Sequence, residues 1–266
     1  MKRFLVIFPL ILLLGTASLL YAGRSFNGSS DAISAPGVST PIDITTGAMS
    51  FMCWFKMTST PSNEASPCSK WSAANTGGYM LTYNCSGCSG SSLNAITGEI
   101  YISISLNHYH AESCSATINL NQWYVAVLAY QNNNTLKVYL GTNGTMTLCG
   151  SDNGVGSTGA MVSSGNNLIW ASPRGACGGS CSYFTGLVAE TAVWNVYLSP
   201  AQIANLATVC PVGPSARRMS LPVPVGYWPM WGASGASIEP DLSGNGNAQS
   251  GTLTGTAKAN HPPCTP

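Results

Sequence analysis

Apolar and polar residues alternate along much of this chain with the period of two that belongs to strands. Residues 49–57 set Met49, Phe51, Cys53 and Phe55 against Ser50, Met52, Trp54 and Lys56, which predicts a half-buried central strand. Residues 98–107 send Ile100, Ile102, Ile104 and Leu106 inward and Tyr101, Ser103 and Ser105 outward. Residues 121–130 and 135–140 predict a hairpin across 131–134. Shorter strands are expected over 78–84, 168–171 and 225–231, and on both sides of the Asn27-Gly28 turn within 24–38. Residues 58–69, 85–92 and 151–164 are polar or glycine-rich and predict loops.

The pattern changes once, within residues 184–206. Leu187, Ala189, Thr191, Val193, Asn195 and Tyr197 fall on one face of an extended segment. Val188, Glu190, Ala192, Trp194 and Val196 fall on the other. Both faces are largely apolar, as expected of a strand buried between two layers. Ser199 then offers an N-cap, Pro200 a first helical position, and Ile203 and Leu206 a helical spacing. Glu190 is a carboxylate in an apolar strand and must have a partner. It is either a structural hydrogen-bond anchor or a ligand-binding or catalytic group.

Many short strands, frequent turn signals and one short helix predict an all-β chain: a two-sheet antiparallel β-sandwich of the jelly-roll type. Composition agrees, with 29 glycines among 266 residues and only 7% charged residues. Residues 1–22 carry Lys2 and Arg3, an apolar run from Phe4 to Leu14 and small residues at Gly15, Ala17 and Ala22. That is the layout of a signal peptide, which predicts a secreted or cell-surface protein with no membrane span after its removal. Losing Lys2 and Arg3 takes the formal net charge from +1 to −1. No electrostatic case remains for nucleic acid or an acidic membrane as partner.

Ten cysteines follow that segment: Cys53, Cys68, Cys85, Cys88, Cys114, Cys149, Cys177, Cys181, Cys210 and Cys264. An even number in an exported chain predicts disulfides, although spacing does not give their connectivity. The Cys85-x-x-Cys88 and Cys177-x-x-x-Cys181 pairs also have the spacing of zinc half-sites. His108 and His110, at i and i+2 beside Glu112, are a further candidate metal set, expected in a loop after the 98–107 strand.

Three stretches together resemble one family. Phe26-Asn-Gly-Ser-Ser-Asp31 followed by residues 49–55, the Trp123-to-Tyr139 hairpin, and Gly186 to Leu206 resemble the opening, middle and close of laminin-G-like domains. These are jelly rolls of the concanavalin A-like lectin/glucanase superfamily. Two departures stand out. Ala189 occupies the position where the family carries an Asp before Glu190. Residues 225–231 and 241–255 look like the family's first strand, yet they sit at the C-terminus. Residues 209–224 would then be a linker, and 225–266 would complete one domain spanning 23–266.

The resemblance implies a non-catalytic binding module for a glycan or an extracellular protein. The aromatic platform candidates are Trp71, Tyr79, Tyr83, Tyr101, Trp228 and Trp231. Some relatives hold calcium, for which Asn27, Asp31 and Asp241 are the oxygen ligands to inspect. A structural assembly protein is the alternative, and a stable oligomer without saccharide affinity would distinguish it. A glycoside hydrolase is less favoured, because no strand carries the alternating carboxylates of the superfamily's glucanases.

Overall fold

The computed structural model describes residues 23–72, 76–84, 94–102, 107–112, 118–132, 135–142, 144–152, 159–172, 181–207, 221–232, 236–245 and 250–260. The expected signal segment lies outside them, as do Cys85, Cys88, Cys114, Cys177, Cys210 and Cys264. In chain order the strands are β1 (Gly23–Asn27), β2 (Ala32–Ala35), β3 (Ala48–Met57), β4 (Ala65–Trp71), β5 (Gly78–Tyr83), β6 (Ile96–Ile102), β7 (Asn107–Glu112) and β8 (Tyr124–Gln131). There follow β9 (Thr135–Thr142), β10 (Thr145–Asp152), β11 (Leu168–Trp170), β12 (Thr185–Trp194), helix α1 (Pro200–Asn205), β13 (Gly226–Trp228), β14 (Ile238–Glu239), β15 (Gly251–Thr254) and β16 (Ala257–Ala259).

They form two antiparallel sheets packed as a sandwich. The first runs β10-β9-β8-β3-β12-β1-β16, with β13 also pairing with β12. The second runs β14-β15-β2-β11-β4-β5-β6-β7. Phe51, Cys53 and Phe55 of β3 meet Tyr79, Leu81, Ile100, Ile102 and Trp170 of the second sheet in the central core. The expected alternation therefore holds in β3. Its other face is buried as well, because Met52 and Trp54 join a second core with Val125, Val127, Trp194, Ile203, Leu206 and Tyr227. Helix α1 and the C-terminal segment cover that face, and the Trp194 indole donates to the Pro222 carbonyl at 2.8 Å.

The helix begins where the sequence indicates. The Ser199 hydroxyl accepts from the Gln202 amide, the Gln202 side chain accepts from the Ser199 amide, and Pro200 opens the first turn. No helix among the described residues is long and apolar enough to cross a membrane.

Three sequence expectations change. Residues 65–69 belong to β4 rather than a loop; a register shift between Ala65 and Cys68 accommodates Pro67. His108, His110 and Glu112 lie in β7, not in a loop. The faces of β12 exchange part-way. The β3 ladder pairs Trp54 with Ala189 and Cys53 with Thr191, so Glu190 is an inserted bulge residue. Thr191 therefore faces the central core with Val188 and Val193, while Ala189, Ala192 and Trp194 face the second core. Glu190 itself is buried and has a partner.

The tail takes part in both sheets. β13 pairs with β12, β15 with β2 and β16 with β1. Trp228 stacks edge-on against Trp170 in the central core, ring centroids 5.0 Å apart.

Candidate functional site

Polar groups gather on the outer face of the second sheet. Alternation sends Ile96, Ile100 and Ile102 of β6 to the core, which places Thr97, Glu99 and Tyr101 on the opposite face. Cross-strand register extends the set, with Ser69 beside Met80 and Met80 beside Glu99. Thr82 lies beside Thr97, and the β7 backbone pairs along the far side of β6. The Thr82 hydroxyl donates to Glu99 Oε1 at 3.4 Å. Opposite Trp71 stands Gly78, which has no side chain. The Trp71 and Tyr101 rings meet with centroids 5.0 Å apart and form a small cluster with Met80, against which Val162 packs.

Two of the six aromatic candidates thus come together on one face. They are not exposed ledges, since Trp71 and Tyr101 are 3% and 8% accessible. Tyr79, Tyr83 and Trp228 are core side chains. The two tyrosines lie a residue out of step with Met80 and so point inward; the Tyr79 hydroxyl donates to the Ile42 carbonyl at 3.0 Å and the Tyr83 hydroxyl to Asn94 Oδ1 at 3.0 Å. Trp231 is half-buried. Glu99, Thr82 and Thr97 were not singled out by sequence. Their signal was present, because Thr97 and Glu99 share the parity of Tyr101.

The three calcium candidates do not assemble into one donor set. Asn27 Oδ1 accepts from the amides of Ser29, Ser30 and Asp31, and Asp31 Oδ2 accepts from the Asn27 amide at 3.0 Å. These are the bonds of a side-chain-closed turn. Asp241 accepts from the Tyr227 and Ser243 amides and from the Ser243 hydroxyl, each at 2.9 Å. Asn27 is registered on Thr185 of β12 and Tyr227 on Ala192. Seven residues of strand separate them, roughly 23 Å at the rise of an extended chain. Among the described residues, no group of three or more His, Cys, Asp and Glu could hold a metal ion.

A charged cluster sits apart from this face. Lys70 Nζ donates to Asp43 Oδ1 at 2.7 Å and to the Ser164 hydroxyl at 3.0 Å, and the Ser163 hydroxyl donates to Asp43 at 2.8 Å. Burial pushes the Asp43 carboxyl up, but bonds from Lys70 and Ser163 outweigh it and leave the group below its ordinary 3.8. Burial holds Lys70 below 10.5, against the pull of Asp43. A carboxyl lowered on folding stabilises the folded state above its unfolded value, and loses that contribution as pH falls through the folded one. Asp43→Asn is therefore expected to cost about 2 kcal/mol at neutral pH, where Lys70 is left without its counter-charge. The difference from the parent should shrink toward zero below pH 3.8. Urea midpoints of both proteins across pH check this; a difference independent of pH would refute it.

With fold and site described, comparison with known proteins places the chain. A laminin G model of the concanavalin A-like lectin/glucanases superfamily matches residues 27–204. The chain belongs to that superfamily. No curated protein sequence matches it. The heptameric SAP-like pentraxin of Limulus polyphemus is similar in structure, with TM-score 0.50, 17% identity, 71% of this chain covered and 83% of the pentraxin. So is the CBM40 of Ruminococcus gnavus IT-sialidase, held with α2,3-sialyllactose, at TM-score 0.50, 12% identity, 70% of this chain and 98% of the module. At such identities the likeness to these structures extends to the fold.

Proposed function

We propose that this superfamily member is an exported, non-catalytic binding module whose ligand is a glycan. The outer face of the second sheet is the site. The observation that carries the reading is the joining, on that face, of the Trp71–Tyr101 pair with the Glu99 carboxylate and the Thr82 hydroxyl. Rings offer apolar faces to sugar C–H groups, while carboxylate and hydroxyls take the sugar hydroxyls. A carbohydrate-binding module of the same fold, held with sialyllactose, supports the ligand class. Trp71, Tyr101, Glu99 and Thr82 are all buried, so a ligand reaches them only when this face opens.

A glycan array with the mature, oxidised protein tests the proposal, run in calcium and again in EDTA. Selective binding in both conditions is expected. Glu99→Gln keeps the shape and removes the charge, and should weaken the selected glycan roughly tenfold or more. Amide exchange over residues 78–83 and 96–102 should slow in the complex. Binding untouched by Glu99→Gln and by exchange would move the site elsewhere. Binding abolished by EDTA would bring calcium back. No binding in either condition, with a stable oligomer, would favour the assembly reading.

A further inference from the structure

We propose that Cys53 and Cys68 are joined in a disulfide that crosses the sandwich and pins its two sheets together. Both side chains are fully buried, Cys53 on β3 of the first sheet and Cys68 on β4 of the second. The structure leaves both as free thiols, and the pair lies 3.2 Å apart. They belong to a square of four residues. On the first sheet Cys53 is registered beside Thr191, and on the second Cys68 beside Trp170. The Trp170 indole donates to the Thr191 hydroxyl at 2.9 Å across the core, and that hydroxyl lies 3.7 Å from the Cys53 sulfur. This cross-sheet hydrogen bond, made possible by the bulge that turns Thr191 inward, holds sheet spacing and strand alignment on one side of the square. The thiols close the other side.

The site is fully buried, so the Cys68 thiol has no easy route to a stabilised thiolate. Burial pushes the Cys68 thiol well above its ordinary value, and the adjacent Cys53 adds to that. The pair therefore forms while the sheets are closing and water still reaches it. The oxidant is a disulfide donor, of the oxidoreductase or glutathione class. One cysteine thiolate attacks the donor's disulfide and expels a thiolate; the second attacks the resulting mixed disulfide and expels the other. The two cysteines lose two protons and two electrons in total, and the donor leaves as two thiols. Once formed, the bond is sheltered from exchange by the same burial. Cys149 and Cys181, by contrast, are disulfide-bonded. The inference does not depend on the glycan-binding reading.

Mass spectrometry decides it. Protein refolded in an oxidising glutathione buffer is denatured in alkylating reagent without reductant, digested and mapped. The expected product is a peptide pair linked Cys53–Cys68, with neither residue alkylated. Alkylation of both, or linkage of either to another cysteine, overturns the proposal. A Cys53→Ala/Cys68→Ala variant adds a second readout. A cross-link closing a loop of about fifteen residues should raise the folding equilibrium constant roughly a hundredfold. Reductant should lower the parent's urea midpoint toward that of the double variant. A parent first unfolded in reductant, so that the buried bond is reached, whose midpoint still equals that of the oxidised protein refutes the cross-link.

Discussion

A chain ended at residue 220 is expected to lose cooperative unfolding. The removed segment holds no part of the superfamily match, which ends at residue 204. Trimming to that boundary would therefore look harmless. Physically it is not. The segment contributes Tyr227, Trp228 and Met230, all with 0% exposure, to the two cores. Losing a buried tryptophan alone costs about 3–5 kcal/mol. It also removes Glu239, the carboxylate bound to Arg24 in β1. A buried charge stripped of its partner costs another 3–5 kcal/mol or so. Strands β15 and β16 leave β2 and β1 as open edges. These losses together reach the whole stability of an ordinary domain, about 5–15 kcal/mol. The truncated chain should show a shallow urea transition, weak near-ultraviolet dichroism and a tendency to aggregate. An unchanged, sigmoidal transition would show instead that the tail is an appendage, and that residues 23–207 carry the domain alone.

Legibility followed the physics of each segment. The sandwich was readable because strands β3, β6 and β9 carry the period-two pattern and β8 is a short apolar run set off by turn residues. β7 was not, since its residues are polar or small and its place is fixed by pairing with β6 rather than by its own propensity. β4 was hidden by Pro67, which a bulge tolerates. The bulge residue is Glu190, the carboxylate that stands out in its strand; its charge marks the position but not the extra residue in the register, which exchanges the faces of every residue beyond it. Three of the six aromatic candidates turn out to be core side chains. Tyr79, Tyr83 and Trp228 have the right chemistry for stacking on a sugar but the wrong parity or position, and only register against neighbouring strands reveals it. The candidate calcium ligands illustrate another ambiguity. Asn and Asp in glycine-rich turns serve backbone amides as readily as ions, and here all three accept from nearby amides. The pairing of Cys53 with Cys68 requires knowing which strands of opposite sheets cross, which no spacing encodes.

Replacing Glu239 with Gln should destabilise the protein by about 3–5 kcal/mol. Glu239 Oε2 meets the Arg24 guanidinium at 2.9 Å, with both side chains 0–1% exposed. The Gly232 amide donates to Oε1 at 3.0 Å. The amide of Gln can still accept from Gly232, so the substitution isolates the charge. Arg24→Met should cost a similar amount, because it leaves the carboxylate buried. Arg24→Met/Glu239→Gln removes both charges and keeps the Gly232 bond, and should recover most of the loss. pH separates the two single variants. Burial already holds the Glu239 carboxyl above its ordinary 4.5, in spite of Gly232 and Arg24. Without Arg24 it must rise further. A carboxyl raised on folding binds its proton more tightly in the folded state, so stability increases as pH falls from the folded value toward 4.5. Arg24→Met should thus regain stability relative to Glu239→Gln on acidification, while Glu239→Gln, with no carboxyl there, should not. Chemical denaturation of the four proteins between neutral pH and the ordinary glutamate range measures both effects. Single variants costing under about 1 kcal/mol, or a double variant equal to the sum of the singles, would mean that the pair is solvated in solution and does not lock the first strand to the tail.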